Sequence, residues 1–220
     1  MPLVAIQKPR LFVGWAPVCT FLSATTMNLN TANGVSLGIP AKDRVIIVGA
    51  SARSGQITKV TINGIALLPY AAAGAAGQGS FTSIWSGLVP DDPLGTIWTP
   101  EGSLGTNPIL NIYRATGLSR IAPRDAQSSA TAADVARAVD LNTEVGGFII
   151  ACAVNNVGAA NSVTWTGDET PTEDSDSALG SGRQSGMSRL TTIADAANTI
   201  TATFAVISTT QISLSAASFR

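Results

Sequence analysis

The chain has 220 residues, of which 45% are hydrophobic and only 12% are charged, so it can bury a sizeable core but has few charges for its surface. The formal net charge of −1 and the scattered arginines argue against a dedicated nucleic-acid-binding surface, which needs clustered Lys and Arg. The absence of histidine excludes Ser–His–Asp, Cys–His and zinc–His sites.

Short apolar segments bounded by Gly, Pro, Asn and Ser follow one another along the chain and predict β-strands. Arg44–Ser51 and Phe148–Val154 are apolar on both faces, which predicts buried strands. Asn198–Val206 alternates between apolar residues and threonine or asparagine, as a strand with one buried face does. The other predicted strands are Val18–Leu22, Ile57–Ile62, Ile65–Leu68, Phe81–Leu88, Pro108–Thr116, Ser162–Thr166 and Gln211–Phe219.

Turn chemistry and composition separate these strands. Asn63-Gly64 between two apolar runs predicts a tight hairpin, because both central residues of a type I′ turn need positive φ. The segment Tyr70–Ser80 is nearly all Ala and Gly and predicts a flexible loop or a site of close backbone approach. Gly167–Ser188 is predicted to be an acidic loop rich in Thr and Ser. Thr131–Leu141 suits a helix by its alanines and a strand by its spacing, and we favour the strand.

These elements predict an all-β fold: an antiparallel, jelly-roll-like β-sandwich of about ten to twelve strands with little helix. We assign residues 1–40 to an extended N-terminal assembly arm that includes the first strand, and residues 41–220 to a single sandwich. The sequence shows no repeat at a fixed period. The longest apolar run, Val145–Val154, is too short to cross a bilayer, so we expect no membrane insertion.

The acidic residues of the Gly167–Ser188 segment are the candidate metal ligands. Asp168, Glu169, Asp174 and Asp176 could supply oxygen ligands to calcium, although their spacing does not match an EF-hand loop. Alternatively, the segment is a solvated loop or pairs with Arg183 and Arg189. Paired-carboxylate hydrolysis of cell-envelope sugars is a third hypothesis, but the sequence assigns no catalytic residue and requires no cofactor.

Two further residue types leave alternatives open. Trp98 is the tryptophan with the best prospect of exposure and is the candidate for stacking on a host-surface glycan, whereas Trp85 and Trp165 lie in strand patterns and are expected in the core. Cys19 and Cys152 lie in apolar runs, where buried free thiols are the default. A disulfide between them is the alternative, since their spacing does not decide it.

The order of several segments is similar to that in a group of β-rich structural proteins of tailed bacteriophages and prophages. These segments run from Pro40 to the C-terminus, and it is their order, not any one of them, that carries the resemblance. They are Asp43–Val48, Ile57–Ala66, Ile112–Gly117, Gly146–Ala151, Val163–Gly167, Ile200–Phe204 and Ala216–Phe219.

The resemblance implies a non-enzymatic virion component that is assembled in the cytoplasm of the bacterial host. A capsid decoration protein, a head spike, and a tail or baseplate subunit all fit, with other virion proteins as partners. The low charge and the predicted sheet edges agree with a homo-oligomer that acts through subunit packing. A carbohydrate- or receptor-binding module on the particle surface is the alternative function.

Overall fold

The computed structural model describes residues 16–26, 31–53, 55–74, 79–98, 108–132, 134–158, 162–179, 182–208 and 211–220. These residues form seventeen strands and no helix, and all strand pairs are antiparallel. The predicted all-β antiparallel class is confirmed, with more strands than expected. The strands are β1 Val18–Thr26, β2 Thr31–Ser36, β3 Val45–Ala52, β4 Thr61–Ile62, β5 Ile65–Ala66, β6 Leu68–Ala73, β7 Phe81–Leu88, β8 Leu94–Trp98, β9 Ile109–Thr116, β10 Asp125–Thr131, β11 Ala136–Thr143, β12 Phe148–Asn155, β13 Val163–Gly167, β14 Thr172–Leu179, β15 Gly182–Leu190, β16 Asp195–Phe204 and β17 Ile212–Phe219.

The strands form four sheets, two from each half of the chain. The N-terminal inner sheet has the order β1-β9-β3-β7-β6, and the N-terminal outer sheet has the order β2-β8-β4-β5. The C-terminal inner sheet has the order β10-β17-β12-β15-β14, and the C-terminal outer sheet has the order β11-β16-β13. Each half therefore builds its own two-sheet sandwich.

Three apolar layers hold the four sheets together. In the N-terminal sandwich, Trp85 and Ile46 of the inner sheet pack against the outer sheet around Ile62. In the C-terminal sandwich, Met187 packs among the residues around Trp165. The two inner sheets face each other across a third layer, here called the seam, which includes Ile47, Tyr113, Phe148, Cys152 and Phe219. Strands β3, β12 and β17 are buried at every position because they lie between two apolar layers. β3 and β12 are almost wholly apolar, whereas β17 also buries three serines, of which Ser213 and Ser215 hydrogen-bond across the seam.

The two sandwiches repeat the same strand order. In the N-terminal inner sheet, the first strand of that half, β1, pairs with the last, β9, which also pairs with β3. In the C-terminal inner sheet, β10 pairs in the same way with β17, which also pairs with β12. In the outer sheets, the order β2-β8-β4 corresponds to the order β11-β16-β13. Each half thus has the two-sheet arrangement of a jelly roll. Even an irregularity recurs, because the edge strands β6 and β14 shift register at corresponding places, Pro69/Ala71 and Glu173/Ser175.

The sequence predicted one sandwich in residues 41–220 and no repeat, whereas the structure stacks two jelly rolls. The repeat is hard to detect because a strand needs only a pattern of burial and not particular residues. Val60-Thr61 of the first jelly roll corresponds to Val163-Thr164 of the second, but Trp85 corresponds to Met187. Strands β1 and β2, in the predicted N-terminal arm, are paired with β9 and β8. Residues 1–15 lie outside the described part.

Two predicted loops are wrong in part. Leu68–Ala73 is an edge strand in which Ala71 and Ala73 are buried, because a small side chain suits a strand packed closely under a second sheet. The acidic segment contains β14 and most of β15, since Thr and Ser tolerate the extended backbone and the ladder to β15 satisfies its polar groups.

Several other predictions are confirmed. Asn63 and Gly64 have φ of 49° and 81°, and the turn pairs Ile62 with Ile65, although the regular ladder is shorter than expected. The ambiguous Thr131–Leu141 segment contributes strand β11, as favoured. Both cysteines are free thiols, so the disulfide alternative is wrong. In the part of the chain that the structure describes, no helix is long and apolar enough to cross a membrane.

Candidate interaction surfaces

Two pairs of hydroxyls across the seam define how the jelly rolls are oriented. Ser80 Oγ lies 2.9 Å from Ser213 Oγ, and Thr82 Oγ1 lies 2.9 Å from Ser215 Oγ. Both pairs advance in the same direction along the chain, so β7 and β17 run parallel across the seam. Their antiparallel neighbours β3 and β12 must then also run parallel to each other. The starts of β3 and β12 consequently lie at the same end of the molecule.

Exposed apolar side chains concentrate at this end. Leu88 pairs with the first residue of β3, and Leu190 pairs with the first residue of β12, where it is 63% exposed. Ile39, which is 77% exposed, lies in the loop that leads into β3. We call this surface the apolar end. Its members are Val18, Ile39, Leu68, Leu88, Leu94, Ile121, Val145, Leu190 and Ile193.

Elsewhere in the described residues, few large apolar side chains are exposed. They are Ile65, Val135, Val206 and Ile207. Val206 accepts a hydrogen bond from Asn155, the last residue of β12, so it lies at the opposite end of the molecule. Exposed apolar side chains gathered at one end of a protein commonly mark a contact with a partner. The apolar end, whose loops also carry the exposed charges of Lys42, Asp91 and Asp92, is therefore the strongest candidate for an interaction surface.

A depression of about 360 Å³ opens at the apolar end. Val18 and Ala41 supply apolar surface to it, and Asp43 and Arg114 supply charges. Asp43 accepts a hydrogen bond of 2.8 Å from the backbone of Gly117, and Arg114 donates one of 3.0 Å to the carbonyl of Ile39. These hydrogen bonds fix the Asp43 and Arg114 side chains against neighbouring backbone groups. The shape of the depression is therefore set by the fold.

The buried Arg44 side chain holds together the two loops of the N-terminal jelly roll at this end. Its guanidinium donates to the carbonyls of Leu37 and Gly38 in one loop and to those of Val89, Asp91 and Asp92 in the other. Burial lowers the pKa of Arg44, but an arginine remains charged at any physiological pH. The first loop carries Ile39 and the second lies between Leu88 and Leu94.

The structure does not bring the four candidate calcium ligands together. Asp168 accepts from the backbone of Thr199 at 2.7 Å, and Glu169 accepts from the backbone of Thr192 at 2.6 Å. Asp176 forms an ion pair with Arg183. In the described part of the chain, no three acidic or cysteine side chains form a group that could hold a metal ion.

The alternative interpretation of the acidic segment, pairing with Arg183 and Arg189, is confirmed. Asp176 binds Arg183 through both carboxylate oxygens, and Glu169 lies 3.7 Å from the buried Arg189. Burial alone would raise the pKa of Glu169, but hydrogen bonds from Thr192 and the charge of Arg189 bring it below its usual value. Burial lowers the pKa of Arg189. The carboxylates of Asp176 and Glu169 therefore connect neighbouring strands and turns of the fold.

Glu173 and Asp174 are neighbours in sequence but face different layers. Glu173 accepts a hydrogen bond of 2.8 Å from Ser185, which itself accepts one from the core residue Trp165. Asp174 instead contacts the hydroxyl of Tyr113 in the seam. Burial raises the pKa of both carboxyls. Since the two side chains point to opposite sides of the C-terminal inner sheet, they do not form a carboxylate pair in one cleft.

Asp174 leads to a prediction about pH. Burial in the seam raises its native pKa above the unfolded value, so its protonation favours the folded state at low pH and this contribution is lost as the pH rises through the native pKa. Asp174→Asn should therefore be at least as stable as the wild type at neutral pH and lose its advantage on acidification. Melting temperatures between pH 4 and 8 test this, with the exposed Asp140→Asn as control. A variant whose destabilisation is constant across that range would contradict it.

The tryptophans divide as expected where they are described. Trp85 and Trp165 are buried in the cores of their jelly rolls, which confirms that prediction. Trp98 is the last residue of β8, and its backbone pairs with Thr31 and Thr61. The side chain of Trp98, the candidate for glycan stacking, lies outside the described part of the structure.

Sequence reasoning missed the apolar end, although a signal for it exists. Ile39-Pro40, Pro93-Leu94 and Val145-Gly146 each place a large apolar residue beside a turn former. Turn segments are normally polar, so such pairs indicate apolar side chains held at the surface. No family model matches the chain, and no curated protein sequence matches it. Functional inference therefore depends on the fold and its surfaces.

Proposed function

We propose that the chain is a non-enzymatic structural subunit of a tailed-phage particle, acting as a capsid decoration protein, a head spike, or a tail or baseplate component. It is assembled in the cytoplasm of the bacterial host and packs against copies of itself and other virion proteins. The observation that carries this proposal is the apolar end, to which both jelly rolls contribute. Jelly rolls recur in viral capsid proteins, which agrees with the proposal.

The apolar end suits packing between subunits better than it suits a free surface. Exposed Ile and Leu side chains lose the stabilisation of burial, about 1.5–3 kcal/mol for each side chain that is fully covered by a partner. The buried Arg44 and the hydrogen bonds between loops hold the surface in one shape, so little ordering is needed on contact. A chain with only 12% charged residues also gains from having much of its surface covered.

A structural role agrees with how the polar groups are used. The acids of the 168–176 segment bind backbone amides, arginines or hydroxyls of neighbouring strands. Glu173 and Asp174 point into different layers, which gives no support to hydrolysis by paired carboxylates. We therefore assign these side chains to the stability of the fold.

The double variant Ile39→Lys/Leu190→Lys tests the proposal. Both side chains are exposed, so the variant should fold, but two buried charges should prevent packing at the apolar end. We expect the mass of the purified protein to fall below that of the wild type and the variant to be missing from purified particles. The control Val206→Lys/Ile207→Lys places the same charges at the opposite end and should assemble normally. A wild-type protein that is a stable monomer and is missing from particles would overturn the proposal.

A further inference from the structure

The two jelly rolls differ at one edge of their outer sheets. In the first, β4 is covered by β5, because the chain turns back at Asn63-Gly64. The amide of Leu67 extends this pairing by donating to the carbonyl of Val60. In the second, the corresponding strand β13 continues into the segment that leads to β14. Within the described residues, β13 pairs with β16 alone.

The hydrogen bonds to β16 identify which groups of β13 face the open edge. The carbonyl of Ser162 accepts from Ala205, and the amide of Asp168 donates to Thr199, so the even-numbered residues point their backbone groups at β16. In an antiparallel ladder, the backbone groups of successive residues point alternately to the two neighbouring strands. The amides and carbonyls of Val163, Trp165 and Gly167 therefore point outward. Their counterparts in the first jelly roll, Val60 and Ile62, are the residues that bond to the returning chain.

Within the residues that the structure describes, strand β13 lacks the features that keep a sheet edge from pairing with another chain. Among other edge strands, β6 carries Pro69 and a register shift, β14 carries acids and a register shift, and β5 has two residues. In contrast, β13 reads Val-Thr-Trp-Thr-Gly, without charge, proline or register shift. Proteins normally protect exposed edges with such features, so an unprotected edge indicates a pairing partner.

We propose that a second copy of the chain supplies this partner, with the two β13 strands pairing antiparallel about a two-fold axis centred on Trp165. This register matches the outward groups: Trp165 faces Trp165 of the other copy, and Val163 faces Gly167, all as hydrogen-bonded pairs. Thr164 then lies opposite Thr166 in a non-hydrogen-bonded pair, where side chains are closest and Thr–Thr contacts are favourable. Both threonines are exposed. No charge opposes a like charge within the five residues, so the edge is complementary to itself.

This β13 contact rests on the proposed function and specifies one contact between subunits. Pairing at β13 joins two three-stranded outer sheets into one of six strands. It uses a surface other than the apolar end, so each subunit has two different contacts, as an extended assembly requires. A five-residue edge is a small interface, and the dimer should therefore form at high protein concentration.

Charges introduced at Thr164 and Thr166 test the β13 contact. In the Ile39→Lys/Leu190→Lys background, sedimentation at high concentration should show a dimer. Adding Thr164→Lys/Thr166→Lys should halve that mass, because each lysine would lie opposite another. Adding Thr164→Glu/Thr166→Glu should do the same, and an equal mixture of the two variants should recover the dimer. The control Thr20→Lys/Thr26→Lys changes two exposed threonines of another edge strand, β1, and should remain dimeric.

The outcomes separate this inference from the proposed function. A background protein that is monomeric at high concentration, or a dimer that keeps its mass with lysines at Thr164 and Thr166, overturns the β13 contact and leaves the apolar end in place. If the lysines at Ile39 and Leu190 have no effect but those on β13 halve the mass, the apolar end fails and the β13 contact stands. Melting temperatures measured at low protein concentration, where no variant is associated, show whether each variant folds.

Discussion

Replacing Arg44 with alanine is expected to lower the free energy of unfolding by about 3 kcal/mol or more, because several buried carbonyls lose their donor. Arg44 is completely buried and donates to five carbonyls in two loops. Alanine can replace none of these bonds, and it leaves a cavity where the guanidinium was. Chemical denaturation measured at equilibrium would determine the loss.

Two matched variants make the Arg44 prediction specific. Arg44→Lys keeps the charge but cannot reach five carbonyls with one ammonium group, so its loss should be intermediate. Lys42→Ala removes an exposed cation from the same loop and should change stability by less than about 0.5 kcal/mol. Since the Arg44 side chain holds the loop that carries Ile39, Arg44→Ala should also weaken self-association. A loss from Arg44→Ala no larger than that from Lys42→Ala would contradict the role assigned to this residue.

Phe219→Ala should cost about 3–5 kcal/mol, the usual range for removing a buried phenylalanine. Phe219 is 2% exposed, and its ring stacks on Phe148 with 5.3 Å between the ring centroids. Both rings belong to the seam, whose residues come from both inner sheets. Equilibrium denaturation of the variant, followed by tryptophan fluorescence and by circular dichroism, measures this loss.

The same experiment tests whether the seam couples the jelly rolls. Because the seam is an apolar layer shared by both, the wild type should unfold in one transition and Phe219→Ala should shift the whole of it. Ile207→Ala is the control, since Ile207 is exposed outside the apolar end and its loss should change stability by less than about 0.5 kcal/mol. Two separate transitions, with only one of them shifted, would show that the jelly rolls are stable independently.

Much of the fold could be predicted from the sequence because the residue pattern of a β-strand is visible within a short segment. Arg44–Ser51 and Phe148–Val154 are apolar on both faces for a reason that the structure makes clear: each lies in an inner sheet between two apolar layers. The Asn63-Gly64 turn follows directly from the conformations those residues tolerate. In each case the information lies within about ten neighbouring residues.

The stacking of two jelly rolls could not be predicted in the same way. The seam brings together residues that are far apart in sequence, such as Ser80 and Ser213. The identity of a serine does not indicate which residue it will contact. The acidic segment was misjudged because loop-like composition was weighed without knowing that β15 would satisfy its backbone. The apolar end was missed because exposure depends on how the loops of both jelly rolls meet at one end.

An electron-microscopy reconstruction of the assembled protein, from purified particles or from the isolated oligomer, tests the central claim most directly. We predict that the surface formed by Ile39, Leu88, Val145 and Leu190 is covered by a neighbouring subunit. A reconstruction in which this end of the two jelly rolls faces solvent, with the contacts between subunits made elsewhere, would contradict the account.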